Sequence, residues 1–175
     1  MLKIYHAPAT RAFRVIWVCE ELAIPYEIVP VDFSPAYRAS PEWRAMNPVG
    51  KVPVMTDGAL KMFESGAMMQ YVLDRYGAGR LQPSPDSPDH ALYLQWCWFA
   101  EATFSRPLGE MTNHRREFSP PLENVLAEMA RRASLSVAAL DQAGKNVVDI
   151  PDGKGIVGAI FGNGTILPGT KSVPE

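Results

Sequence analysis

Thr10 is the first residue whose type and position suggest chemistry. It follows the apolar run Leu2–Tyr5 and the Ala7-Pro8 step, and precedes a segment with Val15, Val18, Cys19 and Leu22 at helical spacing. That is an N-cap position, where a hydroxyl, first-turn amides and a positive dipole end favour an anion or a thiolate, with Arg11 alongside adding charge. Capping alone is the commoner role. Glu64-Ser65 opens a second helix in the same way, Ser65 as cap and Glu64 as an acid near the dipole, and capping again suffices. Val52-Pro53 is harder to dismiss. Proline in a strand run belongs at an edge, a first position or a bulge, and a Val-Pro step leaves Val52 backbone groups to pair with an extended peptide. Spacing alone does not establish a cis bond there. His6, His90 and His114 have no carboxylate or cysteine at ligand spacing, so no metal site is expected. GxxxxGK(S/T) phosphate-loop, HExxH and GxSxG motifs do not occur.

Composition narrows the classes. The 175 residues carry 17 basic and 19 acidic side chains for a net charge of −2, and 47% are apolar. This excludes whole-chain disorder, and without a basic stripe it argues against nucleic-acid binding. No apolar run reaches the ~18 residues of a membrane span. Lys3, Arg11 and Arg14 interrupt any secretory h-region. Cys19 and Cys97 form neither a disulfide framework nor a CxxC pair and read as reduced core residues. A soluble cytoplasmic protein is expected.

The elements that must position these residues follow from periodicity. Leu2–Tyr5 reads as a strand, residues 11–23 as a helix and Tyr26–Val29 as a second strand. Residues 30–48 hold one short helix with Ser40 as cap, Pro41 in its first turn and Asn47-Pro48 as its stop. Val52–Thr56 and Ala59–Phe63 flank Asp57-Gly58, a hairpin signal. The next helix carries Met68, Tyr71, Val72 and Arg75, and Gly77 closes it at C′. The order β-α-β, β-β-α predicts a small mixed sheet with a parallel pair and an antiparallel edge. Residues 79–88, rich in proline, read as a linker. Ser87-Pro88-Asp89 starts a helical segment over 89–113 that is apolar most of the way round and so should be buried on more than one side. A further helix runs over about 119–140, with Leu122, Val125, Met129, Arg132 and Ser136 at helical spacing. The Gly-rich residues 144–175 carry no helical stripe.

Together Ile4-Tyr5-His6-Ala7-Pro8, the Arg14-Val15 to Pro25-Tyr26 helix, Asn47-Pro48-Val49-Gly50-Lys51-Val52-Pro53-Val54 and Glu64-Ser65-Gly66-Ala67 resemble the N-terminal half of a bacterial glutathione S-transferase. The resemblance covers roughly residues 1–142. It implies an α/β thioredoxin-like, glutathione-binding domain over 1–78, a linker at 79–88 and a shortened all-helical domain over 89–143. Val52, preceding a cis-Pro53, then resembles the clamp on the cysteinyl part of glutathione. Glu64 and Ser65 resemble the partners of its γ-glutamyl ammonium and carboxylate, and Lys51 and Arg11 add charge.

Of the thiol-activating residue the resemblance implies a Ser, Cys or Tyr near the end of the first strand. Thr10 stands where Ser or Cys can, Tyr5 is the aromatic fallback, and the third reading has no side-chain activator. Bringing a thiol from ~8.5 to ~6.5 needs about 2.7 kcal/mol. One bond to a charged acceptor supplies about 1.5–3 kcal/mol and a helix N-terminus about 0.3–1, so Thr10 and the start of the helix suffice. Trp96, Phe99, Phe104 and Met111 offer an apolar lining for a hydrophobic electrophile, although aromatics at helical spacing are core more often than pocket. The family also implies a homodimer. The tail after Gln142 departs from the family, which continues with further helices. The favoured function is a detoxifying transferase that uses bound glutathione as co-substrate against an electrophilic carbon or peroxide. The alternative is a non-catalytic thiol-peptide-binding or dimerisation module.

Overall fold

A computed structural model of the chain describes residues 1–144, so the expectations for the Gly-rich segment up to 175 lie outside the described residues. The chain divides into two compact units, the first Met1–Gln82 and the second beginning at Pro83.

In the first unit, β1 (Leu2–His6), α1 (Ala12–Leu22) and β2 (Tyr26–Pro30) are followed by two short helices, α2 (Pro35–Ala39) and α3 (Pro41–Met46). Then come β3 (Val54–Asp57), β4 (Leu60–Phe63) and α4 (Ser65–Tyr76). The sheet order is β2-β1-β3-β4, with β1 parallel to β2 and the other neighbours antiparallel. This is the expected thioredoxin-like mixed sheet. Alternation along β1 sorts its faces: Leu2 and Ile4 join the core with Val15, Val18 and Cys19 of α1 and Met68 and Val72 of α4. Tyr5, pointing the other way, meets Trp43 of α3 at a ring distance of 6.2 Å.

Several local expectations need correction. Two helices occupy residues 30–48 rather than one, because Ser34 accepts from the Tyr37 N–H and Pro35 takes the first turn, repeating the Ser40-Pro41 signal. Asp57 ends β3 and pairs with Leu60, so the turn is Gly58-Ala59, with Gly58 at φ 57 where the first central residue needs a positive value. Val52 lies before β3 rather than within it. Gly77 caps α4 in the right-handed region at φ −72, and the left-handed step falls on Ala78.

The second unit contains α5 (Asp89–Trp98), a π-helical stretch (Phe99–Phe104), α6 (Ser105–Glu117) and α7 (Glu123–Gly144). The last helix starts later than expected because Pro120 and Pro121 precede it and the Leu122 N–H donates to Nε2 of His114 at 2.9 Å. Leu122 is therefore exposed, and Leu126, Ser136 and Leu140 form the buried stripe of α7. The expectation that 89–113 is buried on several sides does not hold: only Tyr93, Ala100 and Pro107 are buried there, while Leu92, Leu94, Trp98 and Leu108 are exposed.

Candidate functional site

Strand register builds the site. Tyr5 pairs with Val54, and Val54 with Phe63. The C-terminal end of β1, the N-terminal end of β3 and the C-terminal end of β4 therefore lie side by side. The turn holding Thr10 leaves the first, Val52-Pro53 enters the second, and Glu64-Ser65 follows the third. Three segments distant in sequence meet at one end of the sheet.

Each segment is locally fixed. The Val52-Pro53 peptide is cis, as the family resemblance implies, with Pro53 buried and Val52 half-buried. The loop leading to it hangs on Asn47, which is 2% exposed. Its Nδ2 donates to the Lys51 carbonyl at 2.9 Å, its Oδ1 accepts from the Val49 N–H at 3.0 Å, and its backbone carbonyl accepts from the Gly50 N–H at 2.8 Å. Gly50, at φ 69, lets this loop pass where a Cβ would lie 2.7 Å from the Arg38 carbonyl oxygen. Lys51 projects from it exposed.

Ser65 is not the cap of α4 but its first residue, buried at 4% exposure; Glu64 occupies the cap position at φ 77 with no side-chain capping bond. A glutamate rarely adopts that conformation, which turns the chain sharply from β4 into the helix. Ser65 Oγ accepts a bond of 3.0 Å from Nη1 of Arg14, a cation 7% exposed on α1. A buried guanidinium persists only with partners, and Ser65 is one.

Thr10 is also not an N-cap. Arg11 holds that position without a side-chain capping bond, and the Thr10 hydroxyl donates to the Ala7 carbonyl at 2.6 Å. Tyr5 is half-buried against Trp43.

The other groups singled out lie elsewhere. Burial and then the neighbouring Glu20 carboxylate push the Cys19 thiol up to about 11, so it stays protonated. Cys19 and Glu20 line a cleft of about 620 Å3 with Ala23, Ile24, Pro25, Tyr26 and Ile28, around the end of α1 opposite Thr10. There the Tyr26 hydroxyl donates to Glu20 at 2.6 Å and is pushed up to about 12. In the second unit Trp96, Phe99, Phe104 and Met111 are half-buried, the first two in edge contact at 5.1 Å. None of the four lines that cleft. Among the described residues no group of three or more His, Cys, Asp or Glu side chains is placed to hold a metal ion.

Two residues of the site were not singled out from sequence. Asn47 read only as a helix stop, although Asx side chains commonly tie the following backbone. Arg14 carried a stronger signal: it shares the 14-18-22 stripe with Val18 and Leu22, an unexplained charge on an apolar face.

A four-stranded mixed sheet with helices packed on it and a cis-proline before β3 defines a thioredoxin-like domain of the glutathione-transferase type. Residues 1–74 match the family model described as "Glutathione S-transferase, N-terminal domain". Glutathione S-transferase 3 of Schizosaccharomyces pombe is 31% identical over 103 residues, which make up 59% of this chain and 42% of that protein. Glutathione S-transferase 3 of Zea mays is 36% identical over 96 residues, 54% of this chain and 43% of that protein. The crystal structure of the glutathione transferase URE2P8 from Phanerochaete chrysosporium with oxidized glutathione superposes with a TM-score of 0.81 at 26% identity, covering 91% of this chain and 75% of that one. Over residues 1–74 the chain is thus similar to the N-terminal domain of glutathione S-transferases. It matches less than half the length of the two curated relatives above.

Proposed function

We propose that this protein is a glutathione transferase that holds glutathione at the shared end of β1, β3 and β4 and presents its thiolate to a hydrophobic electrophile. One observation carries the reading: strand register brings the Thr10 turn, Val52-Pro53 and Glu64-Ser65 to the same end of the sheet. In this reading the Val52 backbone pairs with the cysteinyl residue. Glu64 receives the γ-glutamyl ammonium, Ser65 and the first turn of α4 receive its carboxylate, and Lys51 and Arg11 supply positive charge. The thiol sits by Thr10 and the start of α1, with Tyr5 as the second choice of activator. Trp96, Phe99, Phe104 and Met111 are the proposed lining for the electrophile. No helix among the described residues is long and apolar enough to cross a membrane, and neither Cys19 nor Cys97 is in a disulfide, which suits the reducing cytoplasm proposed for it.

Ser65→Ala tests the reading. Losing a charge-assisted bond should weaken glutathione binding by about 1.5–3 kcal/mol, roughly 10- to 150-fold, measured by calorimetry. The same change strips an acceptor from buried Arg14, so stability should fall by about 1–3 kcal/mol whether or not glutathione binds there. Only the affinity discriminates. Unchanged affinity in the folded variant removes Ser65 from the site. Turnover of a generic aryl halide separates the enzyme from the non-catalytic module, which would be retained on glutathione resin without conjugating anything.

A further inference from the structure

We propose that Arg14 is a positioning residue that sets the direction in which Ser65 donates, and through it the grip on the amino-acid carboxylate of the bound thiol peptide. The proposal rests on the glutathione reading above and adds to it a residue that does not itself reach the ligand. A guanidinium can only donate, so the 3.0 Å contact makes Ser65 Oγ the acceptor of the Arg14 bond. The hydroxyl carries a single proton, and with Arg14 occupying one lone pair that proton is aimed at a second partner that must accept. A carboxylate is the acceptor that fits. The same point is the start of α4, a helix of 12 residues whose cap residue gives its first-turn N–H groups no side-chain bond.

The contact is held by packing. Arg14 sits on α1 and Ser65 on α4, and the two helices share the core through Val15, Val18, Met68 and Val72. Arg14 is buried, so its positive charge acts through few screening waters on whatever sits beyond Ser65. Without Arg14 the hydroxyl rotates, accepts as readily as it donates, and must be reoriented each time the carboxylate arrives. A purely structural Arg14 makes a different prediction, because loss of packing would weaken every ligand of the first unit alike.

The test compares two probes on the full chain by calorimetry: glutathione, and 4-aminobutyryl-cysteinyl-glycine, which lacks only the γ-glutamyl α-carboxylate. The wild-type chain should prefer glutathione by about 10-fold or more, the worth of one charge-assisted bond. Arg14→Gln should lose about 10-fold in glutathione affinity and bind the analogue as the wild type does. Ser65→Ala should behave alike, and the double variant should be no worse than either single one. A folded Arg14→Gln chain that keeps the wild-type preference, or that loses both probes equally, overturns the role of Arg14 and leaves the glutathione reading standing. A wild-type chain without any preference overturns the reading itself. Should Arg14→Gln not fold, Arg14→Lys carries the comparison: an ammonium in place of the fork should narrow the preference about 3-fold, and an unaltered preference overturns the proposal.

Discussion

At Thr10 the hydroxyl already has a partner, and that changes how much it can offer a thiolate. Its proton lies on the Ala7 carbonyl at 2.6 Å. To serve a bound thiol it must exchange a neutral bond, worth about 0.5–1.5 kcal/mol, for one to a charged acceptor, worth about 1.5–3. The net gain is about 1–1.5 kcal/mol, close to one pKa unit rather than two. The helix start adds about 0.3–1 kcal/mol, so the two together fall short of a full two-unit shift. Thr10→Val should therefore raise the pKa of the bound thiol by about one unit. Turnover at neutral pH should fall up to about 10-fold and recover as pH rises, while Thr10→Ser keeps the wild-type profile. A valine variant with an unaltered pH–rate profile would transfer the role to Tyr5, to be tested as Tyr5→Phe.

Among the elements, β3 and α4 are joined by Asp57, which sequence reading took only for a turn residue. Tyr71 donates to its Oδ2 at 2.8 Å and Tyr76 donates to the same oxygen. These two bonds, Tyr76 first, hold the Asp57 carboxyl below its ordinary value. A group whose folded pKa is depressed contributes stability that is complete above the unfolded carboxylate pKa, near 4, and is lost as pH falls through the folded value. Asp57→Asn should thus cost about 1.5–3 kcal/mol at pH 7, read from denaturant melts. The gap between variant and wild type should close as pH drops below about 4. A gap that stays constant down to pH 2 would mean that the charge of Asp57 contributes nothing to the clasp. The strands, α1 and α4 were legible from their apolar period, and α3 from its Ser40 cap and Pro41. What was not legible depends on contacts across long separations. The Arg14–Ser65 bond spans 51 residues, and Asp57 meets tyrosines 14 and 19 residues away. The caps at Thr10 and Ser65 were placed one residue off because both hydroxyls were assigned to local amides when their partners were the Ala7 carbonyl and Arg14.

For the molecule as a whole, the second unit leaves apolar side chains in water that a monomer gains nothing by exposing. Leu94 and Trp98 stand four residues apart on one face of α5, 40% and 69% exposed, and Leu135 and Val137 of α7 are 59% and 54% exposed. Single exposed apolar residues need no explanation, but two on one helical face are what an interface leaves behind. The homodimer implied by the family resemblance remains the proposal that accounts for them. Sedimentation of the 19.3 kDa chain at micromolar concentration should give about twice that mass. A buried tryptophan anchor is commonly worth 2 kcal/mol or more at an interface, so Trp98→Glu should weaken self-association by at least about 30-fold and yield monomer at the same concentration. The monomeric variant should still be retained on glutathione resin, because the proposed binding residues Val52, Glu64 and Ser65 all belong to the first unit. A wild-type chain that sediments as a monomer across that range would end the dimer proposal, whatever its affinity for glutathione.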